Sequence, residues 1–129
     1  MNHNPSHLPE ILNRYISGYH QYCLSGNVRP VFISDNLCGM MVFPKSALYD
    51  ALEDRYVQHI HPSDRESYQR FLEELRRAPQ TGTAQYRLIR GDGSLLYVCD
   101  TMTSYLQGTQ MLADSVLTDI TQIKAENQN

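Results

Sequence analysis

Residues 85–101, QYRLIRGDGSLLYVCDT, constrain the fold more than any other stretch of this chain. Two runs rich in β-formers, Tyr86-Arg87-Leu88-Ile89 and Leu95-Leu96-Tyr97-Val98-Cys99, flank Gly91-Asp92-Gly93-Ser94. An Asp-Gly pair between such runs predicts a β-hairpin with a tight primed turn, because glycine takes up the positive φ that turn needs without steric cost. A third strand is predicted over residues 110–117, where it can pair with the hairpin.

The remainder of the chain must close one side of that sheet. With 129 residues, 41% of them apolar, it has the content of one globular domain, able to bury about two-thirds of its unfolded surface. The formal charge is −3 and the lysines and arginines are scattered, which argues against a nucleic-acid surface. No apolar run approaches the roughly 20 residues of a membrane helix, and no signal-peptide pattern opens the chain. No membrane contact is expected, and the expected compartment is cytoplasmic. Cys23, Cys38 and Cys99 are odd in number, widely spaced and free of any CxxC pair, so they read as reduced thiols.

In chain order, residues 1–7 are polar. Leu8, Ile11, Leu12, Tyr15 and Ile16 then recur at helical spacing, with Pro9 suited to the first turn and Gly18 to the end. This amphipathic helix either packs on its own domain or joins two copies through Ile11, Leu12, Tyr15 and Ile16, which makes a homodimer an expectation. Two strands follow over residues 19–24 and 30–34, joined at Ser25-Gly26-Asn27. Ser34-Asp35-Asn36 supplies N-cap chemistry for a short helix over residues 37–41; Pro44 breaks it, and a second short helix is expected over residues 46–54. Ser63 and Glu66 have capping-box spacing, and Tyr68, Phe71, Leu72 and Leu75 make one apolar stripe behind them. Glu73, Glu74, Arg76 and Arg77 form a solvated face, and Pro79 and Gly82 end this helix, the longest of the chain. The sum is an α+β domain: a five-stranded antiparallel sheet with short helices and one longer helix on one face.

HPSDR ahead of an amphipathic helix, then YRLIRGDGS, then Asp119-Ile120-Thr121, together with FISDNLCGMM, resemble the PAS sensory domain over about residues 18–121. Two places depart from the pattern. Met40-Met41-Val42-Phe43-Pro44 stands where many relatives have a glycine-aromatic pair, and Ser115 stands where the last strand often has a small residue. The resemblance implies strand order 2-1-5-4-3, a flanking helix over residues 1–17, and the start of a linker helix over residues 122–129. It implies a signal-input and dimerisation module upstream of an effector such as a diguanylate cyclase or a sensor histidine kinase. It also implies that Asp119 pairs with a basic hairpin residue, Arg87 or Arg90, where Thr121 completes the handover to the linker. An ordinary, partly exposed ion pair would look the same in sequence.

Catalytic signatures are missing from the sequence: it has no GxSxG, no HExxH and no Walker loop. Gly91-x-Gly93 fails the dinucleotide pattern because position 96 is Leu, and Glu73-Glu74 reads as a charged helix face. The domain is read as non-catalytic. His59-Ile60-His61 lacks ligands at zinc spacing, so no metal is expected. By the resemblance, haem would need a histidine on the long helix, and residues 63–77 hold none. Flavin would need a GxNCRxLQ-like segment. Around Cys38 the sequence has the cysteine without the arginine and glutamine, and a small buried hydrophobe is the better reading.

What the resemblance leaves is an unidentified small molecule held between sheet and helices. Its lining would come from Phe32, Leu37, Met41, Phe43, Leu48, Leu52, Phe71, Leu75, Tyr86, Leu88, Val98 and Met111, with Tyr86, Cys99 and Ser115 as polar handles. Each of these is first of all a core candidate. Two functions stand side by side: a ligand-responsive sensor, and a ligand-free scaffold for homodimerisation or protein contacts.

Overall fold

The structure is a computed structural model and describes residues 17–48 and 55–127. Five strands, β1 (Ser17–Cys23), β2 (Arg29–Ile33), β3 (Gln80–Ile89), β4 (Leu95–Gln107) and β5 (Gln110–Asp119), form one antiparallel sheet in the order β2-β1-β5-β4-β3. That is the topology expected from the sequence. Between β2 and β3 run α1 (Asp35–Met41), α2 (Lys45–Leu48), a 3₁₀ turn (Tyr56–His59) and α3 (Pro62–Arg77); α4 (Thr121–Asn127) follows β5. No helix among the described residues is long and apolar enough to cross a membrane. The expected N-terminal helix with Ile11, Leu12, Tyr15 and Ile16, residue Leu52, the rest of the second short helix and residues 128–129 lie outside the described residues.

Strand periodicity decides which side chains face the helices. On β4 the even residues Leu96, Val98, Asp100, Met102 and Ser104 are buried, while Leu95, Thr101 and Thr103 are exposed. Their partners on β5, Leu117 opposite Asp100 and Ser115 opposite Met102, share that inner face. Leu37, Met41, Leu48, Leu72 and Leu75 close over it from the helices in one core. Each such fully buried leucine or methionine contributes about 1.5–3 kcal/mol relative to exposure.

Phe32 is a correction to the expected lining. The register places Ile33 opposite the inward His20 and Phe32 opposite the outward Gln21. Phe32 is therefore 45% exposed on the outer face, its ring 5.7 Å from Tyr19.

The hairpin is longer than the β-forming runs suggest, with strands of 10 and 13 residues. Its turn also differs from the primed two-residue form. Arg90 N–H donates to Ser94 O at 2.8 Å, Gly93 N–H donates to Arg90 O at 2.8 Å, and within the turn only Gly93 has positive φ, at 88°. This is a three-residue loop, a type I turn closed by a glycine bulge. Asp92 Oδ1 steadies it by accepting from the Ser94 amide at 3.0 Å and the Ser94 hydroxyl at 2.6 Å.

The start of α3 is likewise corrected. His61 is the N-cap: its Nδ1 accepts from Ser63 N–H at 3.1 Å, and Pro62 opens the helix where no N–H is required. Glu66 is paired with Arg70 at 2.6 Å, so the Ser63–Glu66 capping box does not form. The helix ends at Arg77, and Gly82 lies inside β3. A Cβ at Gly82 would stand 3.1 Å from the Phe71 ring, so the absent side chain lets α3 lie close to the sheet.

Candidate functional site

The inner face of the sheet is not uniformly apolar. β1 turns His20 and Tyr22 inward, β4 contributes Asp100 and β5 contributes Ser115, all buried. Tyr56 from the 3₁₀ turn, Tyr68 from α3 and Tyr86 from β3 join them. Tyr86 Oη donates to Asp100 Oδ2 at 2.6 Å, and the Ser115 hydroxyl donates to Asp100 Oδ1. The Tyr56 and Tyr86 hydroxyls are 2.6 Å apart, those of Tyr22 and Tyr68 are 3.0 Å apart, and Tyr22 Oη also donates to Met102 Sδ at 3.2 Å. The His20 ring lies 4.4 Å from the ring of Tyr22 and 5.0 Å from that of Tyr56.

Burial sets the protonation of this cluster. Desolvation pushes the Asp100 carboxyl above the ordinary carboxylate range, while the hydrogen bonds from Ser115 and Tyr86 and the charge of His20 pull it back. Tyr86 and Tyr22 are both driven well above the ordinary phenol range, first by burial. Their hydroxyls thus stay protonated at neutral pH, and Tyr86 is a standing donor to Asp100.

Beside this cluster opens a cavity of about 230 Å³ walled by Tyr22, Val28, Tyr56, Val57, Tyr68, Gln69 and Leu72. None of these was singled out as lining from the sequence. The residues that were singled out take other places. Leu37, Met41, Leu48, Leu75, Leu88 and Val98 are fully buried in the core and Met111 nearly so, while Phe43 and Phe71 pack half-buried against it. Tyr86 and Ser115 belong to the polar cluster. The sequence carries no local signal for the cavity wall: Tyr22, Tyr56 and Tyr68 are three tyrosines scattered over 47 residues that only the fold brings together.

The two arginines of the hairpin have separate partners. Arg87 does not reach Asp119; it meets Asp64 of the HPSDR segment through Nε–Oδ2 and Nη2–Oδ1 contacts of 2.9 Å each, and its amide donates to Asp64 Oδ2 at 2.9 Å. His61 N–H donates to Arg87 O at 2.8 Å. HPSDR is thus the clamp that fixes the start of α3 to β3, and the Arg87 hydrogen bonds hold the Asp64 carboxyl below the usual range.

Arg90 gathers three other elements. Its Nε donates to Met40 O at 3.1 Å, its Nη1 to Ser94 Oγ at 3.0 Å, and its Nη2 lies 3.9 Å from Asp119 Oδ2. Next to it, Gly91 N–H donates to Met41 O at 2.9 Å. The hairpin loop thereby satisfies carbonyls that the last turn of α1 leaves without helical partners. Val42 closes that helix in the left-handed region, at φ 58°. Asp119 Oδ1 in turn accepts from Thr121 N–H at 2.9 Å, Thr121 Oγ1 accepts from Tyr97 N–H at 3.0 Å, and Ile120 N–H donates to Tyr97 O at 2.8 Å. A second cavity, of about 160 Å³, lies where Ile120 and Lys124 of the α4 region meet Tyr86, Arg87 and Val98. Tyr86 therefore borders this space while bonding Tyr56 on the wall of the larger cavity.

His59 Nε2 lies 3.0 Å from Ala47 O and its ring stacks 4.3 Å from Phe43, which gives it a packing role. Among the described residues no group of three or more His, Cys, Asp or Glu is placed to hold a metal ion. The three cysteines are free thiols, and burial pushes that of Cys38 up.

The family model described as PAS fold matches residues 30–110. The chain is similar in structure to the N-terminal domain of a diguanylate cyclase with PAS/PAC sensor from Marinobacter aquaeolei, at TM-score 0.71 and 14% identity, covering 84% of this chain and 98% of that one. It is similar to a sensory box histidine kinase/response regulator from Burkholderia thailandensis, at TM-score 0.69 and 15% identity, covering 94% and 89%. A PAS domain of an HTR-like protein from Haloarcula marismortui gives TM-score 0.64 and 14% identity, covering 89% and 90%. No curated protein matches the chain. With more than half of its residues matched by the family model and its strand order in agreement, the chain belongs to the PAS family.

Proposed function

We propose that residues 18–121 are the sensory input module of a signalling protein. In this reading α4 begins the linker to an effector, a diguanylate cyclase or a histidine kinase, and residues 1–17 contribute a dimer contact. The module is non-catalytic and works in the cytoplasm. The observation that carries this reading is the position of Arg90, which touches the end of α1, the hairpin turn and Asp119 at the root of α4. A shift of α1 over the core would therefore be felt at the outgoing helix. Similarity to domains of a diguanylate cyclase and a histidine kinase supports the choice of effector class.

An occupant of the core can drive such a shift only if it binds two arrangements of the domain with different affinity. A ligand-free scaffold is the second reading, favoured by the tight burial of Leu37, Met41, Leu48, Leu88 and Val98. Native mass spectrometry against the denatured mass separates the two: a reproducible excess mass supports the sensor, and bare chain mass supports the scaffold. In a chain carrying the effector, Asp119→Ala should change output while the domain stays folded; unchanged output would dispose of the coupling.

A further inference from the structure

The larger cavity has a definite chemistry, and its occupant can be deduced on the basis of the sensor reading above. Its wall is made of the rings and hydroxyls of Tyr22, Tyr56 and Tyr68, the Gln69 amide at the rim, and valine and leucine side chains. Among the described residues no charged side chain lines it. An anion held there would have no cation on the wall, and behind Tyr56 the hydroxyl of Tyr86 leads to the carboxyl of Asp100. Among the described residues His20, whose ring faces Tyr22 and Tyr56, is a further ionisable group packed against that wall. An unpaired ion of either sign buried in such a site loses its hydration without a partner.

Size and shape narrow the choice. A volume of about 230 Å³ exceeds the roughly 150 Å³ of an apolar cavity that accepts benzene. The Tyr56 and Tyr68 rings, with centroids 6.0 Å apart and planes inclined at 54°, form a corner suited to another ring, since aromatic pairs favour separations of about 4.5–7 Å. We propose that this cavity binds a small neutral compound of one ring carrying a hydroxyl, the ring against the tyrosines and the hydroxyl on their phenol groups or the Gln69 amide.

Isothermal titration of the 129-residue chain with benzyl alcohol, benzoate and benzyltrimethylammonium tests this. Benzyl alcohol should bind one to one, and each charged probe at least about tenfold more weakly, the cost of burying an unpaired charge. Val57→Phe, which fills the cavity, should abolish the binding; if that variant does not fold, Gln69→Trp at the exposed rim should block the mouth in the same way. Tighter binding of benzoate or of the cation overturns the proposed chemistry and leaves the sensor reading intact. Binding that survives the filled cavity, or silence from all three probes, overturns the site itself. Bare chain mass in native mass spectrometry is the separate result that would remove the sensor reading.

Discussion

Gly91→Ala isolates the contact between the hairpin and α1. A Cβ built at Gly91 falls 2.0 Å from Val42 O and 3.2 Å from Val42 C, both backbone atoms that cannot swing away. Ordinary contact is near 3.4 Å, so the loop must retreat by about 1.4 Å, enough to break the Gly91 N–H to Met41 O hydrogen bond and to draw Arg90 Nε off Met40 O. Two hydrogen bonds at about 1 kcal/mol each, plus residual strain, give a loss of about 2–3 kcal/mol. At roughly 4 °C per kcal/mol for a domain of this size, the melting temperature should fall by about 8–12 °C in calorimetry. Gly39→Ala is the matched control: it lies in the same helix with nothing within 4 Å of its would-be Cβ, and should hold or gain up to about 1 kcal/mol. A Gly91→Ala melt within about 2 °C of the parent, or an equal fall for Gly39→Ala, would refute the reasoning.

Three further outcomes are expected. Asp64 has a folded pKa below its unfolded value of about 3.9, so its stabilisation is full above that value and drains away as pH falls through the lower one; urea titrations between pH 2 and 6 should show this acid loss shrink in Asp64→Asn. Asp100 has the opposite sign, its folded pKa being raised, so its stabilisation is full below about pH 3.9 and lost as pH rises through the higher folded value. Asp100→Asn keeps one acceptor oxygen, for Tyr86, and puts an NH2 where the other oxygen was, which can donate to the Ser115 hydroxyl. With no charge left to desolvate it should be more stable than the parent at pH 7, and a less stable variant would contradict the burial argument. Finally, Ile11→Glu with Ile16→Glu should yield a monomer in ultracentrifugation if the N-terminal stripe is a dimer contact; a persisting dimer would exclude that contact.

The sheet was legible because its cues are local. Gly91-Asp92-Gly93-Ser94 marks a hairpin whatever surrounds it, and the turn type was missed only because Gly93 alone takes positive φ. The stripe Tyr68, Phe71, Leu72, Leu75 likewise gave α3 its place, with Tyr68, Leu72 and Leu75 buried. Inward facing was harder. Phe32 looks like core, yet its register against β1 turns it outward, since one residue of strand exchanges the faces. The partners of charges were only partly readable: Asp119 faces Arg90, one of the two arginines expected for it, while the partner of Arg87 was not foreseen. Arg87 and Asp64 lie 23 residues apart on different elements, and nothing near either one distinguishes that pairing from Arg87 with Asp119. The tyrosine-walled cavity is hidden in the sequence for the same reason: its hydroxyl-bearing rings come from β1, the 3₁₀ turn and α3 and meet only in the fold.

Hydrogen exchange on Arg90→Ala tests most directly whether the hairpin joins the core to the outgoing helix. Arg90 bonds Met40 O and Ser94 Oγ and faces Asp119, whose carboxylate caps Thr121 N–H. Removing the guanidinium should speed exchange together at Gly91, at Val42 and at the amides of Thr121 and Lys124, while the β4–β5 ladder keeps its protection. Faster exchange confined to the turn, with Thr121 and Lys124 unchanged, would contradict the coupling.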